Sequence, residues 1–208
     1  PLRAARSTRQ TRIEWTLRQL VPEGRIGTPT HASCIDRRSD PARSDDASNV
    51  DYAQVLAMGA DDLNRLRNIL GRDPVRILAR CTRAAWSTYR HGSTTEAFVE
   101  MTGGLHLHYY GSLTSNRSEH ALWLEGDRGV LWTDRSLIWW RKRGWPVFVP
   151  LRSRSVPAGE RSARPTEEAE RWALAILEAA IRSDRTRTTV AVSDMFQTAG
   201  ADPGVTLR

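Results

Sequence analysis

Lysine is nearly missing from this chain: of its 31 basic residues only Lys142 is not an arginine. That scarcity bears on how the net charge of +7 is read. A basic surplus ordinarily points toward phosphate-bearing partners. Here the arginines are dispersed and interleaved with 24 acidic residues, and a bias toward arginine codons produces the same excess. The composition therefore argues against nucleic acid as the partner. Cysteine is equally sparse. Cys34 and Cys81 are too few for a disulfide framework or a cysteine zinc site. No apolar run approaches the roughly 20 residues of a membrane-spanning helix, so no membrane partner is expected. Residues 1–11 carry arginines with no apolar stretch behind them, which reads as an arm or a cut end and not as a secretory signal. A reduced, cytoplasmic setting fits these absences.

What remains is enough for one ordinary domain, expected over residues 12–208. The chain has 208 residues, 39% of them hydrophobic, with eight tryptophans. Ile13, Leu17, Leu20 and Val21 recur at helical spacing and stop at Pro22 and Gly24. THASCID, residues 30–36, reads as a strand, and residues 37–50 as a polar loop. A second helix is expected over Val55–Leu70, with Leu63, Leu66 and Leu70 on one face and Gly71 as its C-terminal cap. From Val75 the period changes to two, which predicts a strand.

The middle of the chain predicts about six further strands in a mostly antiparallel meander, turning at Gly103-Gly104, Asp127-Arg128-Gly129 and near Gly144. Leu137, Trp139, Val147 and Val149 are expected to face helices, with Ile138 and Trp140 on the opposite side. Residues 152–164 read as linker. A strong helix follows, with Pro165 in its first turn, Glu167 and Glu168 complementing the dipole, and Ala169, Trp172, Ala173, Ile176 and Ala180 as its stripe. TTVAV then closes the sheet. The fold class expected is α+β: a large, open, mostly antiparallel sheet with helices packed on one face. Apolar residues on both sheet faces call for a second cover, and a second subunit is the natural one.

The order of these elements is similar to a known family. GRIGTPTHAS resembles the G-x-I-G step that opens the C-terminal domain of the glucose–fructose oxidoreductase and inositol dehydrogenase (Gfo/Idh/MocA) family. MGADDLNRLRNILGRDPVRILAR resembles that family's helix, glycine and strand, and TTEAFVEMTGGLHLHYYGSL its paired-glycine hairpin. LEGDRGVLWTDRSLIWW resembles its next hairpin, and the last helix with VAVSD its closing elements. The resemblance runs from about residue 12 to residue 195. It implies the second domain of an NAD- or NADP-dependent oxidoreductase acting on a sugar or polyol, with the nucleotide domain elsewhere. No G-x-G-x-x-G lies between a strand and a helix to cradle a pyrophosphate, so no cofactor is expected on this chain alone.

The family's helix presents an acid–base set, and its positions fall here on Ala57, Asp61 and Asn64. Ala57 has no acid–base chemistry, so a catalytic set of the family type is broken. Asp61 and Asn64 remain as substrate-binding candidates, although Asp61 and Asp62 also suit a helix N-terminus. His106 and His108 share one face of a strand, with His120 on a neighbouring strand. They are weak metal candidates against the plainer reading of half-exposed polar residues. Trp139, Trp140 and Trp145 cluster beside Arg141-Lys142-Arg143 and are expected to form a subunit interface, where Trp and Arg are enriched.

The function expected is therefore that of a substrate-binding and oligomerisation domain, inactive alone, forming a homo-oligomer through its open sheet face. Two alternatives stand beside it: a stand-alone homodimeric interaction module, and an arginine-rich nucleic-acid binder.

Overall fold

A computed structural model describes residues 12–39, 50–161 and 166–198. The expected arm at 1–11, most of the expected loop, Pro165 and the end of the tail lie outside the described residues. The elements run α1 (Arg12–Leu20), β1 (Pro29–Ser39), a π-helical turn (Val55–Gly59), α2 (Ala60–Leu70), β2 (Pro74–Thr82), β3 (Thr94–Met101), β4 (Leu105–Ser112), β5 (Thr114–Gly126), β6 (Gly129–Thr133), β7 (Ile138–Lys142), β8 (Val149–Leu151), α3 (Ala158–Arg161), α4 (Glu167–Thr186), β9 (Val190–Ala191) and α5 (Ser193–Thr198).

Among the described residues nine strands form one sheet in the order β8-β7-β6-β5-β1-β4-β3-β2-β9. Every pairing is antiparallel except β1 with β4. The fold is α+β, with an open and mostly antiparallel sheet. The first strand in sequence thus lies at the centre, because the long β5 pairs back onto it antiparallel while β4 lies beside it in parallel. β1 also runs to Ser39, three residues into the expected loop.

Helix ends follow local rules. Gly71 closes α2 in the left-handed conformation at φ 61°, its N–H reaching the carbonyl of Arg67, as a glycine cap does. The Thr166 hydroxyl accepts from the Ala169 N–H to start α4, an N-cap worth about 1 kcal/mol. α4 buries Ala175, Ile176, Ala179 and Ala180, so its stripe lies partly off the expected one, with Ala175 and Ala179 buried and Ala173 only half-buried. It packs chiefly over β2 and against α2. The main apolar core lies between sheet and helices, with Leu17, Ile26, Ile77, Leu107, Leu131 and Ile176 closed to solvent; each such side chain contributes about 1.5–3 kcal/mol.

The facing of β7 is opposite to the expectation. Ile138 pairs with Thr133 and Trp140 with Leu131 on the helix side, which leaves Trp139 beside Trp132 on the open side. Ile138 is fully buried, whereas Leu137 is 48% exposed. The run LIWW is apolar at every position, so a period of two has no phase to read; pairing with β6 sets it.

Candidate active site

Charge is buried on the helix side where β1, β5 and the β6–β7 turn meet α1 and α2. Asp36 ends the inward stripe of β1 (Ala32, Cys34, Asp36) and is 2% exposed. Asp62 in α2 is 4% exposed. Between them stands Arg135. Its Nη2 donates to Asp36 Oδ2 at 2.7 Å and lies 3.8 Å from Asp62 Oδ1. Arg65, one turn along α2, places Nη1 3.6 Å from Asp62 Oδ1 and 3.5 Å from Glu14 Oε1 of α1. Glu14, Asp62, Arg65 and Arg135, with Ile13, Leu17, Cys34 and His120, line a pocket; Asp36 lies behind Arg135, outside the lining.

The β6–β7 turn is built to hold Arg135. The residue sits at φ 74°, a left-handed conformation rarely taken by an arginine. Thr133 Oγ1 accepts from the Arg135 N–H, and Asp134 Oδ1 accepts from the N–H groups of Ser136 and Leu137. Such bracing sustains backbone strain, which concentrates at functional sites.

A second line of groups supports Asp62 from behind. Tyr109 in β4 donates its hydroxyl to Asp62 Oδ2 at 3.0 Å and accepts from Gln54 Nε2 at 2.8 Å. Both Tyr109 and Gln54 are fully buried. Gly111 makes the arrangement possible, since a Cβ there would lie 1.9 Å from Gln54 Nε2 and 2.5 Å from Tyr109 Oη.

Burial sets the protonation. Loss of water pushes the Asp62 carboxyl up to about 7, assisted by the negative charge of Asp36 and opposed by Arg65 and Arg135. His120 moves the other way, down to about 4, through burial and then Arg135. Among the described residues its buried Nδ1 has no hydrogen-bond partner. Near neutral pH the pocket therefore holds a carboxyl that exchanges a proton easily and an imidazole that is uncharged. The Cys34 thiol is raised well above its ordinary value by burial and then Asp62, so it is a poor nucleophile.

The sequence candidates fall largely outside this pocket. Ala57 is exposed. Asn64 Nδ2 donates to the Ala169 carbonyl of α4, fastening two helices, and Asp61 is half-exposed one position from the lining face. Asp62, Arg65 and Ile69 share the face that lines it, as i, i+3 and i+7 positions do. The dipole reading of Asp61 and Asp62 also fails, because helical backbone runs unbroken from Ala53 through the π turn and neither residue lies at an N-terminus. A π turn inside a helix often marks a functional site.

His106 and His108 lie on the open face; His108 Nε2 is 3.1 Å from Glu96 Oε1 and its ring stacks on Phe98. His120 pairs with Asp36 on the other side of the sheet, so the three histidines do not converge. Among the described residues no group of three or more His, Cys, Asp or Glu side chains is placed to hold a metal.

Neither α4 nor α2 offers its N-terminus to a pyrophosphate. The longest helix, α4, opens on Glu167, Glu168 and Glu170, which repel a pyrophosphate where the helix dipole would otherwise attract one. α2 has no free N-terminus, being continuous with the turn before it.

No family model matches the sequence, and no curated protein does. Solved structures do match in fold. An NAD binding oxidoreductase from Klebsiella pneumoniae superposes with TM-score 0.73 at 14% identity over 88% of this chain and 64% of its own. An oxidoreductase from Agrobacterium radiobacter, solved with NAD+, L-tartaric acid and magnesium, gives 0.71 at 14% identity over 93% and 65%. An aldose-aldose oxidoreductase from Caulobacter crescentus, solved with glycerol, gives 0.67 at 17% over 90% and 62%. The likeness is one of fold, which this chain shares with these oxidoreductases. This chain spans less than two thirds of the length of those three structures. Among its described residues no helix is long and apolar enough to cross a membrane.

Proposed function

We propose that this chain is the substrate-binding and oligomerisation part of an NAD- or NADP-dependent oxidoreductase acting on a sugar or polyol. The nicotinamide would be held elsewhere, and the chain alone would be inactive. The observation that carries this reading is the buried Asp62, poised near neutrality in a pocket with Arg65, Arg135 and His120. Asp62 is suited to accept the proton of a bound hydroxyl, and Tyr109 and Gln54 hold its carboxylate in place. Arg135 keeps the second carboxylate, Asp36, paired while this happens. Isothermal titration tests the division of labour. We expect millimolar binding of myo-inositol, sorbitol or glucose, lost in Asp62→Asn, and no micromolar binding of NAD+ or NADP+. Micromolar cofactor binding, or no polyol binding, contradicts the reading.

The open sheet face supports the oligomeric part. Trp139, Trp132 and Trp123 are neighbours on it, and the row continues through Ser33 and His108 to Phe98. Trp123 and Phe98 are 37% and 56% exposed. A row of aromatics across a sheet is the kind of surface that a second copy covers. Trp140 and Trp145 do not belong to it: Trp140 packs on the helix-side core, donates Nε1–H to the Arg25 carbonyl and contacts Trp145. Light scattering should therefore show a dimer that Trp139→Asp dissociates without unfolding, whereas Trp140→Asp lowers stability. A wild-type monomer at every concentration contradicts the interface.

A further inference from the structure

The identity of the ligand can be narrowed, on the reading of this pocket as a small-molecule site. Two guanidinium groups, Arg65 and Arg135, line it, each with its side chain 33% exposed. A guanidinium offers five N–H donors in a planar fork, and little of that capacity is used here. Arg135 makes one short side-chain bond, to Asp36. The contacts of Arg65 with Glu14 and Asp62, at 3.5 and 3.6 Å, stand at or beyond the limit of a hydrogen bond. Among the described residues Nε and the second terminal nitrogen of both arginines make no hydrogen bond, and none of these atoms is sealed from water. Asp62 does not satisfy them: its Oδ1 stands 3.6 Å from Arg65 and 3.8 Å from Arg135, beyond a hydrogen bond to either.

A neutral hydroxyl leaves such forks unsatisfied, whereas a carboxylate matches them with two coplanar oxygens. The His120 ring, which lines the same pocket, leaves room on that side for an uncharged group. We propose that the ligand of this pocket is a polyhydroxy carboxylate, a sugar acid, with its carboxylate against Arg65 and Arg135 and a hydroxyl toward Asp62 and His120. The groups facing Asp62 are Glu14 of α1, Cys34 and Asp36 of β1, Tyr109 of β4, His120 of β5, Arg135 of the β6–β7 turn, and Arg65 with Asp61 on its own helix. Against that balance of charge an anionic ligand is admitted best when Asp62 carries its proton, so the preference weakens as pH rises through about 7.

Isothermal titration of the full chain with D-gluconate and D-sorbitol, which differ only at one terminal carbon, tests this; glycerate and glycerol form a smaller pair, and acetate controls for a bare anion. We expect gluconate to bind at least about tenfold tighter than sorbitol at pH 6, as one charge-assisted contact implies. The ratio should shrink at least about threefold at pH 8.5, and Arg65→Gln should bring gluconate down to the level of sorbitol. If that variant does not fold, the wild-type ratio and its pH dependence decide. Equal binding of the acid and the polyol in both pairs overturns the sugar-acid assignment while leaving a polyol pocket standing. Acetate binding as tightly as gluconate overturns it as a plain anion site. No binding of any of them sinks the pocket reading as well.

Discussion

Arg135→Met is expected to lower the unfolding free energy by about 3 kcal/mol, the usual cost of stranding one partner of a buried ion pair. Asp36 would lose its short hydrogen bond and keep, among the described residues, Arg38 at 3.7 Å and His120 at 3.9 Å, while remaining 2% exposed. An unpaired buried carboxylate must either unfold the site or take up a proton. Methionine retains the length of the arginine stem, so the packing change is small. Its backbone meets the same φ of 74°, and strain therefore cancels when Arg135→Met is compared with the double variant Arg135→Met, Asp36→Asn. Urea denaturation of both should show most of the lost stability recovered in the double variant. Equal destabilisation of the two would mean that the turn, and not the charge, is what Arg135 secures.

The second large effect is a pair of opposite pH slopes. Asp62 titrates near 7 when folded and near an ordinary carboxyl value when unfolded. Its penalty is absent below about 4, grows as pH rises, and is complete above about 7. His120 titrates near 4 when folded against an ordinary value of 6.5. Its penalty is absent above 6.5 and grows as pH falls toward 4. Between about 4.5 and 6.5 the two penalties add, but their pH slopes nearly cancel in the wild-type chain.

Asp62→Asn removes the first and exposes the second. Relative to wild type it should lose about 1.4 kcal/mol per pH unit as pH falls through that window. His120→Gln should show the reverse, losing a similar amount per unit as pH rises. Tyr109 can still donate to the asparagine oxygen, so the hydrogen-bond frame survives the first change. Taking differences from wild type removes other titrations, such as Glu23 and Asp134, whose pKa values are lowered by hydrogen bonds from Arg154 and Ser136. Three parallel stability–pH curves would show that neither group is desolvated in solution.

The fold was legible wherever the signal is local. Period, cap and turn lie within a few residues of one another, and α1, the Gly71 cap, the hairpin at Gly103-Gly104 and α4 were all readable from them. The parallel pairing of β1 with β4 was not, because nothing near Cys34 indicates that Tyr109 lies opposite. The site was less legible still. Asp36, Asp62 and Arg135 come from a strand, a helix and a turn far apart in sequence. Asp61 and Asp62 look alike in a string of letters, yet one helical step of about 100° decides which of them reaches the pocket. The acid–base set inferred at Ala57, Asp61 and Asn64 lies on the π turn and α2, off the face that carries Asp62 and Arg65.

The claim on which most depends is that a hydroxylated small molecule is bound between α1, α2 and the β1–β5–β6 strands. Titrating a 15N-labelled chain with sorbitol and gluconate addresses it directly, with the amide resonances and the arginine Nε signals followed together. The account predicts saturable shifts at Glu14, Asp62, Arg65, His120 and Arg135, with the open-face residues Trp123, Trp132 and Phe98 unmoved. Shifts confined to the open face, or none at saturating ligand, would contradict it.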